Sequence, residues 1–160
     1  MSLLNFIRKA SRLNVFLFFG IAFLLLVFSN LALSYFFPFG TSNSSVNYIE
    51  RFGKIVTFLM AVIWSPAMET LLYQAGIIHI IKAFVPKIRY SFIISVFVSS
   101  LAFGLSHPYS LTYVFAASIA GLILAATYFI SLYRKQNAFL LVFLLHALNN
   151  LIGLLIFLQS

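Results

Sequence analysis

The chain has 160 residues, of which 63% are hydrophobic and only 8% are charged. Its mean hydropathy is +1.09, whereas soluble domains carry about 25% charged residues. This composition excludes a soluble globular fold and predicts a single integral membrane domain over residues 1–160. The absence of cysteine excludes disulfides and thiolate chemistry.

The N-terminal region predicts an interfacial helix followed by a membrane anchor. Residues 1–12 combine apolar and basic side chains, which is typical of an amphipathic helix at the membrane interface. Residues 13–37 form the first apolar run and predict an anchor span. A cleaved signal peptide is the competing interpretation, but this run exceeds the about 7 to 15 residues of a signal-peptide core. Residues 38–54 are polar and turn-rich, so we predict a linker outside the bilayer.

Four further apolar runs follow the linker, within residues 55–158. They cover residues 55–81, 90–106, 111–133 and 138–158. Each is near or above the roughly 17 to 25 residues that a spanning helix needs. The sequence therefore predicts an all-α polytopic membrane protein with about five transmembrane helices, of which those from residue 55 onward form a core bundle. In the fourth span, Ala117, Gly121 and Ala125 predict close packing against another helix.

The basic residues predict how the chain is oriented in the membrane. Eight of the ten lie on one side of a five-span arrangement: Arg8, Lys9, Arg12, Lys82, Lys87, Arg89, Arg134 and Lys135. Because cytoplasmic loops carry an excess of Lys and Arg, we predict a cytoplasmic N-terminus and an external C-terminus. The same clusters suit anionic lipid headgroups, so the net charge of +8 does not indicate nucleic-acid binding.

Polar residues within or at the ends of the predicted spans are few. They are Glu69, Thr70, Gln74, His107, His146, Asn149 and Asn150. A central charge costs about 2.5 to 3.5 kcal/mol, so an intramembrane Glu69 is a functional-site candidate by default. This residue lies roughly 20 Å from either end of an ideal helix. Pro66, three residues earlier, removes a backbone hydrogen bond and predicts a kink with open carbonyls.

Two spacings place further polar groups on shared helix faces. Phe103 and His107 are four residues apart, and so are His146 and Asn150. One Glu, two His and one Asn from three helices can therefore face a common interior, where Glu69 is a candidate general base. The structural alternative is that Glu69 and a histidine only hydrogen-bond to hold the helices together.

Three ordered motifs make the chain resemble the CPBP family, the CAAX protease and bacteriocin-processing membrane enzymes that are also called Abi proteins. The family pattern is EExxxR, then FxxxH, then HxxxN or HxxxD. The corresponding residues here are Glu69-Thr70-xxx-Gln74, Phe103-xxx-His107 and His146-xxx-Asn150. The first motif thus departs from the family at its second Glu and at its Arg.

The resemblance implies a glutamate-dependent intramembrane endopeptidase, and we expect it in the plasma membrane of a prokaryote. Glu69 would activate water with the help of His107, and His146 with Asn150 would stabilise the oxyanion. The supporting residues would be Thr70, Gln74 and Phe103. The implied substrate is a membrane-associated peptide or protein, and no cofactor is expected.

The variant first motif leaves a second function open. Replacing both members of the family's Glu and Arg pair by Thr70 and Gln74 strands no charge, and we expect these two side chains to hydrogen-bond to each other. The alternative to an active peptidase is a catalytically inactive CPBP-like binding or immunity membrane protein. An ion or proton pathway is less favoured, because only one internal carboxylate is available for a relay.

Other protease chemistries fit the residues less well. Both acidic residues are Glu, which excludes a paired-aspartate site, and no HExxH zinc motif is present. A Ser106 and His146 dyad is a minor alternative. A divalent metal held by Glu69, His107 and His146 is another minor alternative, because the ligand types suit zinc.

Overall fold

The computed structural model describes residues 3–36 and 44–159, and every regular element within these ranges is helical. The elements are α1 (Leu3–Arg12), α2 (Val15–Phe36), α3 (Ser44–Phe58), a π-helical segment π1 (Leu59–Trp64), α4 (Ser65–Glu69), a second π-helical segment π2 (Thr70–Gly76), α5 (Ile77–Phe84), α6 (Ile88–Leu105), α7 (Leu111–Tyr133) and α8 (Ala138–Gln159). Within this part of the chain, five helical stretches are long and apolar enough to cross a membrane. The predicted all-α polytopic membrane protein is therefore confirmed.

The spans agree closely with the apolar runs of the sequence. They cover Val15–Tyr35, Arg51–Phe84, Ile88–Leu105, Leu111–Tyr133 and Ala138–Gln159. The predicted linker over residues 38–54 lies partly outside the described residues, and its described part belongs to α3. Within α3 the backbone of Gly53 has a φ of 78°, which favours glycine because it has no Cβ. The apolar part of the second span follows this break.

The second span departs from a regular α-helix around Pro66, as the sequence predicts. Pro66 lies in the first turn of α4, and the chain on both sides of α4 is π-helical. A π-helical turn holds more residues than the about 3.6 of an α-helix, so side chains four residues apart stay closer to one line. Val62, Pro66, Thr70, Gln74 and Ile78 are accordingly all buried, and we call these five residues the buried seam.

The end of α6 lies tightly against α7. A Cβ on Gly104 would lie 2.8 Å from the carbonyl oxygen of Val114, and one on Gly121 would lie 3.0 Å from Phe103 Cβ. The first contact is too short for a side chain, and the second would require Phe103 to move, so the two glycines allow the close approach of Phe103 to α7. The predicted stripe of small residues on α7 is buried: Ala117, Gly121 and Ala125.

The first span packs against α7 and α8. Phe18, Ala22 and Leu26 of α2 belong to the buried core. A side-chain hydrogen bond also joins α2 to α8, in which Asn30 Nδ2 donates to Asn149 Oδ1 at 2.8 Å. The division into an anchor and a four-span core stays a prediction, and α2 contacts that core through both apolar and polar groups.

Arg134 holds α1 against the turn between α7 and α8. Its Nη1 and Nη2 atoms donate to the carbonyl oxygens of Ala10 and Leu13, each at 2.7 Å. The guanidinium also lies over the ring of Phe18, 4.8 Å from its centroid. Ala10 lies in the last turn of α1 and Leu13 directly follows the helix, so Arg134 caps the C-terminal end of α1. The interfacial helix is thereby fixed to the bundle.

We expect Arg134→Ala to release α1, because hydrogen bonds to charged groups contribute about 1.5 to 3 kcal/mol each. Amide hydrogen exchange of residues 3–12, measured in detergent, should accelerate at least tenfold in the variant. Lys135→Ala removes the neighbouring exposed cation and is the matched control. Equal exchange in both variants would show that Arg134 does not hold α1.

Candidate active site

Glu69 is the last residue of α4, and it lines a partly open cavity. Its side chain is 22% exposed. The next residue, Thr70, belongs to the buried seam and is completely buried. The π-helical segments on both sides of α4 therefore leave Glu69 at the edge of the seam, where the cavity begins.

His107 lies in the turn that follows α6, two residues beyond Leu105. Its Nδ1 is 2.7 Å from the carbonyl oxygen of Phe103 and 3.1 Å from Ser106 Oγ. Ser106 Oγ itself donates to the Phe103 carbonyl at 2.7 Å. Since a carbonyl only accepts hydrogen bonds, these partners assign the proton of the neutral ring to Nδ1. The Nε2 atom of neutral His107 is therefore an acceptor.

His146 lies in α8 and has the opposite arrangement. Its Nε2 lies 3.6 Å from Glu69 Oε2, and its side chain is only 6% exposed. Its Nδ1 is buried and has no hydrogen-bond partner among the described residues. Because the negative carboxylate faces Nε2, the neutral ring favours its proton there. His146 therefore points a donor at the place where His107 points an acceptor.

Glu69 Oε2 is the atom at which the two imidazoles meet. It lies 3.8 Å from His107 Nε2 and 3.6 Å from His146 Nε2. These separations exceed the roughly 2.7 to 3.2 Å of a direct N–H···O hydrogen bond. A water molecule beside the carboxylate can instead contact both Glu69 and a histidine. Three side chains from α4, α8 and the turn after α6 thus form one polar centre.

Asn150 joins α8 to the irregular part of the second span. Its Nδ2 donates to the carbonyl oxygen of Ala61 at 3.0 Å. In π1 the Ser65 N–H bonds to the Met60 carbonyl five residues back, and the next donor in that pattern would be Pro66. Proline has no N–H, so Asn150 supplies the donor that Ala61 would otherwise lack. The amide nitrogen has a second hydrogen, and Asn150 also lines the cavity.

Phe103 is packed between the groups that it supports. Its ring lies 4.8 Å from the His107 ring and 5.6 Å from the His146 ring, measured between centroids. Tyr73 contacts it edge-on at 5.7 Å. Both histidines of the site therefore pack against the ring of Phe103. This ring can lie close to α7 because Gly121 has no side chain.

The expected hydrogen bond between Thr70 and Gln74 is wrong. Both residues are fully buried, and Thr70 Oγ1 and both polar atoms of Gln74 have no hydrogen-bond partner among the described residues. The two side chains share the buried face of the second span, but neither polar group contacts the other. The two neutral side chains fill the buried seam without replacing the family's ion pair by a bond.

The cavity has a volume of about 740 Å³, within the roughly 300 to 1,000 Å³ of typical ligand sites. Glu69, Phe103, His107, His146 and Asn150 line it. Sequence reasoning did not single out several further polar and aromatic lining residues, among them Asn30, Tyr109 and Tyr113. Aromatic and polar residues near span ends are common at membrane interfaces, so nothing in their spacing marked them.

Glu69, His107 and His146, the three side chains of the minor metal alternative, lie close together. In the part of the chain that the structure describes, no group of three or more His, Cys, Asp or Glu side chains could hold a metal ion. The expectation that no cofactor is needed stays a prediction.

Residues 51–152 match the family model of the type II CAAX prenyl endopeptidases, described as Rce1-like. The matched range is well over half of the chain, and it contains Glu69, His107, His146 and Asn150. It does not include α1 or α2. No curated protein and no solved structure matches the chain.

Asn150→Ala should lower the free energy of unfolding by about 1 to 3 kcal/mol, because it leaves the Ala61 carbonyl without a donor. In a Pro66→Ala background the new backbone N–H can bond to that carbonyl. Asn150→Ala should then lower the free energy of unfolding by less. Thermal unfolding in detergent of the two single variants and the double variant measures this coupling. Asn149→Ala, tested in both backgrounds, is the control whose cost should not change. Additive costs for Asn150→Ala and Pro66→Ala would contradict the assignment.

Proposed function

Because the chain belongs to the Rce1-like family of type II CAAX prenyl endopeptidases, we propose that it is an intramembrane endopeptidase acting on a membrane-associated peptide or protein. This membership confirms the resemblance to the CPBP family. The observation that carries the proposal is the position of Glu69 Oε2, within 3.8 Å of one imidazole and 3.6 Å of the other, at the wall of a cavity. A general base, Glu69, and a hydrogen-bond donor, His146, then face the same cavity.

In the proposed first step, Glu69 and His107 hold the hydrolytic water. A water molecule has two hydrogens, and the Glu69 carboxylate and the unprotonated Nε2 of His107 are two acceptors on the same side of the cavity. The water oxygen keeps a lone pair for attack on the substrate carbonyl carbon. Glu69 takes one proton as the carbon–oxygen bond forms, so the base and the orienting residue have separate tasks.

In the second step, His146 and Asn150 stabilise the negative oxygen of the tetrahedral intermediate. His146 Nε2–H and the second Nδ2–H of Asn150 are donors that are already in place before reaction. Glu69 then returns its proton to the leaving nitrogen, the carbon–nitrogen bond breaks, and a carboxyl group and an amine are formed. The proton that Glu69 takes from water is thus the one that the amine receives.

The orientation of the protein is part of the proposal. With the N-terminus on the cytoplasmic side, α2 ends and α8 ends on the external side. The cavity lining includes residues near these ends, such as Ser34 of α2 and Phe157 of α8. The cavity accordingly lies towards the external half of the bundle.

We expect Glu69→Gln to lower kcat for cleavage of a quenched peptide library in detergent by about 10² to 10⁴, because the base is lost without loss of volume. His146→Ala should lower kcat by about 10² to 10³ through loss of an oxyanion donor. His79→Ala is the matched control, since His79 contacts Tyr128 and does not line the cavity. Equal cleavage by the wild type and by Glu69→Gln would remove the peptidase proposal.

The second candidate is a binding or immunity protein without turnover, and the neutral first motif favours it. The positions where the family has a Glu and an Arg hold Thr70 and Gln74, both fully buried without hydrogen-bond partners among the described residues. A binding protein needs the fold and the cavity but not the family's ion pair. Its function would be retained by Glu69→Gln, whereas that of a peptidase would not.

Restoring the family's pair distinguishes the two candidates. Thr70→Glu alone should destabilise the protein by about 3 to 5 kcal/mol because it buries an unpaired charge, and adding Gln74→Arg should recover part of this loss. Thermal unfolding measures the stability, and the peptide library measures cleavage. If the wild type is inactive and only the double variant cleaves, the chain is a binding protein that has lost its catalytic support. Cleavage by the wild type would contradict this second candidate.

A further inference from the structure

The helix α2 forms part of the wall of the catalytic cavity, although it lies outside the matched family range of residues 51–152. The members of α2 that line the cavity are Leu26, Val27, Asn30, Leu31 and Ser34. On other sides the cavity is lined by the catalytic groups and by α7 and α8. The cavity of this chain therefore has a wall that the matched family region does not supply.

Two contacts, one helical turn apart along α2, hold the wall in place. Leu26 is completely buried and belongs to the core that includes α7 and α8. One helical turn further along, Asn30 Nδ2 donates to Asn149 Oδ1 at 2.8 Å. Asn149 precedes Asn150, whose side chain bonds to Ala61 in the second span. The position of α2 is thus tied to the residue next to a proposed oxyanion donor.

The wall is largely apolar, because its two polar side chains, Asn30 and Ser34, are already hydrogen-bonded. The catalytic centre, in contrast, is polar. Val27 and Leu31 present aliphatic side chains to the cavity. The Glu69 carboxylate and two imidazoles occupy the same cavity. A peptide whose scissile bond reaches Glu69 must place the neighbouring side chain against one of the remaining walls, and the α2 wall accommodates an apolar one.

We propose that α2 is a specificity-determining wall of the substrate site, where Val27 and Leu31 select by size the apolar side chain adjacent to the scissile bond. This inference rests on the proposed peptidase function. A single methylene in a hydrophobic pocket changes specificity by roughly 10- to 200-fold, so removing three carbons of Leu31 should shift the preferred side chain measurably.

The first test compares Leu31→Ala with Leu25→Ala. The two leucines lie on the same helix and are similarly exposed, 57% and 54%, but only Leu31 lines the cavity. A peptide library with one randomised position beside the cleaved bond should show at least a tenfold shift in kcat/KM towards larger apolar residues in Leu31→Ala. The profile of Leu25→Ala should equal that of the wild type. An unchanged profile in Leu31→Ala would overturn the inference.

The second test does not depend on cleavage. A photoreactive benzophenone side chain is placed at position 31 or at position 25 of the Glu69→Gln variant, and crosslinking to one apolar fluorescent peptide of the library is measured. We expect crosslinking from position 31 at least tenfold above that from position 25. Equal crosslinking from both positions, or none from either, would overturn the inference that α2 is a wall of the substrate site. Crosslinking only from position 31, together with no cleavage by the wild type, would retain the wall and remove the peptidase proposal.

Discussion

The carbonyl oxygen of Ala61 is the constraint on which the arrangement of the site depends. A proline in a membrane span removes a backbone donor, and lipid supplies no water to replace it. Here the deficit falls on Ala61, and Asn150 of α8 meets it with a hydrogen bond of 3.0 Å. The same contact fixes α8 beside the irregular segment that carries Glu69. Since His146 is one helical turn from Asn150, the bond also sets the distance between His146 and Glu69.

The polar centre combines one carboxylate with two neutral imidazoles, and each imidazole carries its proton on a different nitrogen. Its carboxylate is the only acidic side chain described within the spans, and two imidazoles face it with opposite proton positions. The backbone carbonyl of Phe103 sets the proton of His107, whereas the carboxylate itself sets that of His146. Few charges are needed, because each interaction is stronger where water is scarce. The small number of charges agrees with the first motif, which has one charged residue, Glu69, where the family pattern has three.

The family core and the first span contribute different parts of the cavity. The matched residues 51–152 hold the groups proposed to do chemistry, and α2 adds an apolar wall joined to α8 by Asn30 and Asn149. Val27 and Leu31 of the wall are separate from the groups that set the proton positions of the histidines. Such a division allows related chains to keep one chemistry while the binding surface varies, because function resides in sites placed on a fold.

The sequence alone determined the membrane class and the five spans, and it predicted that Glu69, His107, His146 and Asn150 share a site. Hydropathy and the cost of a buried charge act locally along the chain, so both are readable from it. Spacing marked two pairs, Phe103 with His107 and His146 with Asn150, because residues four apart share a helix face. Only the tertiary structure decided that Asn150 bonds to Ala61, that Asn30 reaches Asn149 and that Thr70 and Gln74 do not bond. These contacts depend on the π-helical segments around Pro66 and on which helices become neighbours. Neither is encoded in the spacing of residues within one span.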